Sequence, residues 1–226
     1  MIETLFLDAG GVLVHPNFDR VAEVLSRHGA PVEGATLRAA EPLAKRDLED
    51  PAFIRASDDD HRGLVYFATV LGRSGVSIDD RVRAALTELR AYHARYNLWE
   101  TVPMDVVPVL QRLRARGLRL VVVSNANGTL HDHFDRLGLT PLFDAIFDSH
   151  REKVEKPDPR FFEIALDRSG SRRETTVHVG DFYEIDVVGA RRAGLEAVLL
   201  DPTGINADRD CERVATLDEL AARFGA

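Results

Sequence analysis

The sequence predicts an α/β fold: an open, mostly parallel sheet with helices on both faces, plus a helical segment inserted after the first strand. Three observations carry this. Short apolar runs rich in Val, Leu and Ile recur along the chain, as in parallel strands covered on both faces. Helical patterns that stop at glycine separate the later runs, and strand–helix alternation builds parallel sheets. The first run ends at residue 7 and the second begins at 118, with mostly helical patterns between.

The elements follow in order. "TLFL" (4–7) is the first strand. After Pro16 come "DRVAEVLSRHG", "GATLRAAEPLAKRDL", "HRGLVYFATVLGR" and "DDRVRAALTELRAYHARY", and the stretch closes near Pro103. "VVPVLQRLRARG" carries apolar residues at helical spacing and stops at Gly117. The strand "LRLVVV" (118–123) leads into "HDHFDRLG", then the strand "DAIF" (144–147). "DPRFFEIALDRSG" has Asp158 as N-cap, Pro159 at the first helical position and Gly170 at its end. "TVHV" (176–179), "EIDVVGARRAG" and "EAVLL" (196–200) complete the pattern. Residues 1–15 and 101–226 are expected to form a Rossmann-like core domain, and residues 16–100 a helical domain placed as a lid just past Asp8.

Composition narrows the functional classes. The 226 residues are 45% hydrophobic and 29% charged, with a net charge of -8 and no long basic run. Neither a nucleic-acid backbone nor an anionic membrane is favoured as a partner. The single cysteine, Cys211, rules out an intrachain disulfide and a Cys-rich metal site. The N-terminus lacks a signal-peptide pattern, and no apolar run approaches the roughly 20 residues that span a bilayer. A cytoplasmic location is expected; the oligomeric state is left open.

Ligands of open parallel sheets bind beyond the carboxyl ends of the strands. Here those ends deliver Asp8, then Ser124 and Asn125, then Gly180 and Asp181 with Asp186 five residues on; Lys156 follows the third strand in "EKPDP". Each has an ordinary explanation as a turn former, a helix cap or a solvated side chain. Together they are chemically coherent. Carboxylates and carbonyls suit a hard cation such as Mg2+. A hydroxyl, backbone N–H groups and an ammonium suit a phosphoryl group. A carboxylate in line with that group can attack it.

Four motifs in this order, "LFLDAGGVL", "LVVVSN", Lys156 in "VEKPDPRFF" and "VHVGDFYEIDVVGARRAGL", resemble the haloacid dehalogenase (HAD) superfamily of hydrolases. The helical insert is similar to that family's cap. The resemblance implies an enzyme acting on a small phosphorylated molecule with magnesium as cofactor. It implies Asp8 as nucleophile and metal ligand, and Ser124 as phosphoryl binder helped by backbone N–H near Asn125. It implies Lys156 as the neutralising ammonium, Asp181 as metal ligand, Asp186 as metal support directly or through water, and Gly10 as a ligand through its backbone carbonyl.

Gly10 is also the departure. Phosphatases of this family usually carry a second Asp there, which protonates the leaving oxygen and activates water; "DAGGV" has none. Such acid–base catalysis is typically worth about 10²–10⁴-fold. His15 is a candidate substitute, and His61, His93, Asp58, Asp59 and Asp60 are weaker ones. Two other readings stay open: a phosphate- or metal-binding protein that has lost most catalysis, and a carbon–phosphorus hydrolase using Lys45, the insert's lysine. A dehalogenase fits less well, because "GD" at 180–181 retains the metal ligand. Trp99, Tyr92 and Tyr96 read as packing at the insert's boundary.

Overall fold

The computed structural model describes residues 1–226 except the side chain of Asp60, so that member of the weaker acid–base set lies outside the described residues. The chain divides into two compact units, residues 1–15 with 102–226, and residues 16–101. Each is described by itself.

The chain opens with β1 (Thr4–Leu7) and a tight turn, then enters the helical unit. Here α1 (Phe18–Arg27), α2 (Gly34–Leu48), α3 (Pro51–Ala56), α4 (Asp59–Arg73) and α5 (Asp80–Tyr96) follow one another. Side chains of Asn17, Asp50, Asp58 and Asp79 accept first-turn N–H groups of α1, α3, α4 and α5 at 2.8–3.0 Å, satisfying donors that a helix leaves unpaired. Helix α3 is absent from the sequence expectation. It has six residues and a single buried one, Ile54, so it carries no readable period. The unit's two ends are tied by Glu100, which accepts from Asn17 Nδ2 (2.8 Å), Arg20 Nε (2.7 Å) and the Tyr92 hydroxyl (2.8 Å). These bonds outweigh burial and hold the Glu100 carboxyl below its ordinary range. The Trp99 ring meets Tyr66, Phe67 and His93, a packing role of the kind its sequence context indicated.

The chain returns through α6 (Val106–Ala115), β2 (Arg119–Ser124), α7 (Leu130–Arg136), β3 (Ala145–Asp148), α8 (Ser149–Glu152) and α9 (Pro159–Ser169). It ends with β4 (Thr176–Gly180), α10 (Val188–Arg192), β5 (Glu196–Leu200), β6 (Glu212–Val214) and α11 (Leu217–Arg223). The sheet has six parallel strands in the order β3-β2-β1-β4-β5-β6. The sixth strand lies outside the sequence expectation; of its three residues only Val214 is buried. Asp158 caps α9 through Arg160 N at 3.0 Å, and Gly170 ends it in the left-handed region, as the sequence expects. Leu5, Phe6 and Leu7 of β1 are fully buried, as a central strand covered on both faces must be. On one face Phe6, Val121, Val123, Phe161, Phe162 and Leu199 share one apolar cluster.

The register positions the site. Leu7 lies opposite Val122 of β2 and Val179 of β4. One or two residues further on, the three strands therefore deliver polar groups side by side at the sheet's carboxyl edge. They are Asp8, Ser124 followed by Asn125, and Asp181 after Gly180.

Candidate active site

Asp8 continues the β1 ladder, its N–H donating to Val179 O at 2.9 Å, and Ala9 N donates to Asp8 Oδ1 at 2.8 Å. The chain then reverses: Leu13 N and Val14 N both donate to Ala9 O, Gly11 N donates to Val14 O, and Gly10 bridges to Val14. Gly11 adopts φ +73°, and a Cβ there would lie 1.8 Å from Asp181 Oδ2. The Asp181 carboxylate occupies the space that a side chain at 11 would need. This is why position 11 carries no side chain.

Asp186 reaches the site by an irregular route. Residues Tyr183–Val187 form a π-helical turn, with Val188 N donating to Tyr183 O, a form that recurs at functional sites. Gly180 accommodates the returning side chain; a Cβ on it would sit 2.1 Å from Asp186 Cγ. The carboxylate is then fully engaged. Oδ1 accepts from Lys156 Nζ at 2.7 Å and lies 2.9 Å from His178 Nε2. Oδ2 accepts from Phe182 N at 3.0 Å and Asp181 N at 3.2 Å. A carboxylate offers about four lone-pair positions, and four donors fill them. Because the ionised acid only accepts, Nε2 of His178 carries the proton.

Lys156 is fully buried, and its Nζ lies 3.0 Å from Asp8 Oδ1 as well. The side chain of Asn125 clamps the Lys156 backbone: Nδ2 donates to Lys156 O (3.0 Å) and Oδ1 accepts from Lys156 N (2.8 Å). That amide is thus committed to placing Lys156, which leaves the main-chain N–H as what residue 125 can offer a phosphoryl group. Ser124 is 3% exposed, with Oγ 3.3 Å from Asn125 O. The loop beyond is braced by Ser149 Oγ, which accepts from Ala126 N, and by Asp148, which accepts from the N–H groups of Gly128, Leu130 and His150. Sequence reading missed His178, Asp148 and Ser149. The last two carry only the signal of a polar pair at a strand end.

Electrostatics follow from this geometry. Burial would raise the Asp186 carboxyl, but Lys156 and the His178 bond outweigh it and hold it well below the carboxylate range. Burial would lower the Lys156 ammonium, but Asp186 and Asp8 hold it above its ordinary value. Asp8 is raised, first by burial and then by the charge of Asp186, against the pull of Lys156. Burial lowers His178.

The residues fit a hard divalent cation. Carboxylate oxygens of Asp8, Asp181 and Asp186 lie within 4.8 Å of one another; Asp186, whose lone pairs are already taken, adds charge rather than a direct ligand atom, and Lys156 is the ammonium among them. Ionised, the four groups leave two formal negative charges, the complement of one such ion, and oxygen donors are what it prefers.

The weaker candidates have local partners within the helical unit. Lys45 Nζ pairs with Glu41 at 3.1 Å, and Asp59 with Arg62 at 3.7 Å. Asp58 caps α4, and the His61 ring packs on Phe53. His93 Nδ1 accepts from Leu98 N at 3.1 Å. Tyr92 packs against Tyr96 with the rings tilted at 41° and lies under Arg20. His15 follows the tight turn in the other unit and is partly exposed.

The haloacid dehalogenase-like hydrolase family matches residues 2–194. The chain belongs to that family. Over 128 residues it is 34% identical to a ribulose-1,5-bisphosphate 5-phosphatase of Halopiger xanaduensis, covering 56% of this chain and 54% of that protein. Over 127 residues it is 33% identical to a glyceraldehyde 3-phosphate phosphatase of Methanothermobacter thermautotrophicus, covering 56% of each. The chain thus spans about half the length of the curated relatives it matches. Among solved structures, it superposes with a TM-score of 0.72 on YfnB of Bacillus subtilis, described as a HAD-hydrolase bound to magnesium. That likeness has 18% identity, covers 100% of this chain and 99% of the other, and shows the fold.

Proposed function

We propose that this chain is a magnesium-dependent phosphatase of small phosphorylated metabolites, working through an aspartyl-phosphate on Asp8. The observation that carries this reading is the Asp8 carboxylate at a strand end, 3.0 Å from a fully buried ammonium and beside two further carboxylates. Two sequence relatives named as phosphatases support it. Residues 16–101 are the substrate-selecting cap in this reading, and the cytoplasm is its location.

Asp8, Asp181 and the Gly10 carbonyl would hold magnesium, with Asp186 behind them. When bound, the ion supplies positive charge that offsets repulsion between carboxylate and phosphate. The Asp8 oxygen attacks phosphorus, the bond to the leaving oxygen breaks, and the phosphoryl group passes to Asp8. Lys156 and the Ser124 hydroxyl stabilise the transferring charge. Water then releases phosphate and restores the carboxylate. No acid stands at position 10 to protonate the leaving oxygen, so esters whose alcohol leaves as a stable anion are the faster substrates, with His15 the candidate donor for the rest. The test is phosphate release from a panel of sugar, alkyl and aryl phosphates with magnesium, beside Asp8→Asn. Release that needs both the ion and Asp8 is expected. A wild-type protein inert on the whole panel, yet binding magnesium and phosphate, would replace the enzyme with a binding protein.

A further inference from the structure

We propose that His178 is a positioning residue: through Nε2 it fixes the Asp186 carboxylate, and through that carboxylate it sets the Lys156 ammonium opposite Asp8. The inference rests on the reading of Asp8 as nucleophile.

His178 stands in the middle of β4, fully buried, between two valines that are also fully buried. A central strand gains nothing from an imidazole at such a place unless a polar group needs it. One nitrogen is used and the other is not. Nε2 lies 2.9 Å from Asp186 Oδ1, whereas Nδ1 is buried with no hydrogen-bond partner. An aliphatic or phenyl side chain would fill the position without an orphaned acceptor, so what the imidazole adds is the Nε2–H bond. Its direction is set by the Phe162 ring, which packs at 5.0 Å and 78° to the imidazole.

That bond has a consequence at the reacting centre. Asp186 Oδ1 divides its lone pairs between His178 and Lys156, and this orientation turns Oδ2 onto the N–H groups of Asp181 and Phe182. One carboxylate thereby anchors both the ammonium and the turn that carries Asp181. Without the His178 donor the carboxylate keeps Lys156 and the two backbone N–H groups, but Oδ1 loses the donor that opposes the pull of Lys156. Lys156, now shared at 2.7 Å with Asp186 and 3.0 Å with Asp8, would be drawn further onto the freed Oδ1 and away from Asp8, and the Asp186 side chain that anchors the Asp181 turn would move with it. Outer groups that orient ligands in this way typically change metal affinity or activity by roughly 10–100-fold.

The test compares His178→Phe, which removes the donor, with His178→Gln, whose side-chain N–H extends to the same region. Each is assayed for magnesium-dependent hydrolysis of p-nitrophenyl phosphate and titrated with Mg2+ by calorimetry, both per folded molecule. His178→Phe is expected to lower kcat by roughly 10–100-fold with KM within about two-fold, and to weaken Mg2+ binding; Gln is expected to recover most of both. Unchanged kcat and Mg2+ affinity in folded His178→Phe, a loss confined to KM, or no recovery in a folded Gln variant would each overturn the proposal. If His178→Phe does not fold, His178→Met is held to the same outcomes. If the wild type hydrolyses no phosphate ester, the phosphatase reading fails separately. Mg2+ affinity then decides the role of His178: weakened in Phe and recovered in Gln supports it, and any other pattern refutes it.

Discussion

At position 10 the side chain is a single hydrogen, and the chemistry turns on whether that is a loss. Gly10 is not among the glycines at positive φ, whereas its neighbour Gly11 is. An aspartate therefore meets no left-handed strain at 10, whereas it is strained at 11. Gly10→Asp is expected to speed hydrolysis of alkyl phosphates, by at most the roughly 10²–10⁴-fold of a positioned acid–base, and to change p-nitrophenyl phosphate far less. His15→Ala is the paired measurement: if His15 already donates the proton, its loss slows alkyl phosphates selectively and Gly10→Asp restores part of the rate. Equal effects of Gly10→Asp on both ester types would remove the acid–base explanation. Legibility at this scale was uneven. Asp8, Ser124 and Asp181 can be read because each stands just beyond an apolar run, where a polar residue is conspicuous; Lys156 and Asp186 are legible only through the motifs "VEKPDPRFF" and "GDFYEID". His178 cannot be read, since one polar residue inside "TVHVG" reads as a tolerated substitution in a strand. The Asn125 clamp on Lys156 joins residues 31 apart in sequence, a contact that no local pattern announces.

Three elements meet around one buried chain of charges: β1 with Asp8, the β3–α9 connection with Lys156, and β4 with its π-helical turn. Removing one partner from such a set leaves an uncompensated buried charge, so stability depends on pH. The folded pKa values of Asp186 and His178 both lie below their ordinary 3.8 and 6.5. Each contribution is fully present above the ordinary value and is lost as pH falls through the folded one. Asp8 is raised; its contribution has the opposite sign, is present below 3.8 and declines as pH rises. Lys156 is raised above 10.5, so its contribution is present below that pH and lost as pH rises through the folded value. The metal-free protein is therefore expected to lose stability progressively below about pH 6.5 and again above about 10.5. Urea midpoints of wild type and His178→Gln across that range check it: the wild type is expected to lose more stability than the variant between pH 7 and 5, and identical pH profiles would contradict the His178 assignment. The π-helical turn itself reads as plain helix in "EIDVVGARRAG", because a one-residue expansion leaves the apolar spacing nearly intact.

For the molecule as a whole, the parallel sheet and the helical insert were legible because near-continuous apolar strands and glycine-stopped helices have distinct periods. Helix α3 and strand β6 were not, being too short to show any period, with one buried residue each. The helical unit at 16–101 has its own core, with Phe18, Leu25, Leu37, Leu71 and Leu89 all nearly inaccessible. Its residues carry no motif from which a substrate can be read. The central claim, that the sheet unit transfers a phosphoryl group to Asp8, is tested most directly by trapping the intermediate. The protein is mixed with magnesium and a hydrolysable phosphate ester, quenched in acid during turnover, digested and examined by mass spectrometry. The account predicts one phosphoryl group on the peptide carrying Asp8, absent without magnesium and absent in Asp8→Asn. Turnover with that peptide unmodified, or with the phosphoryl group on another residue, would contradict it.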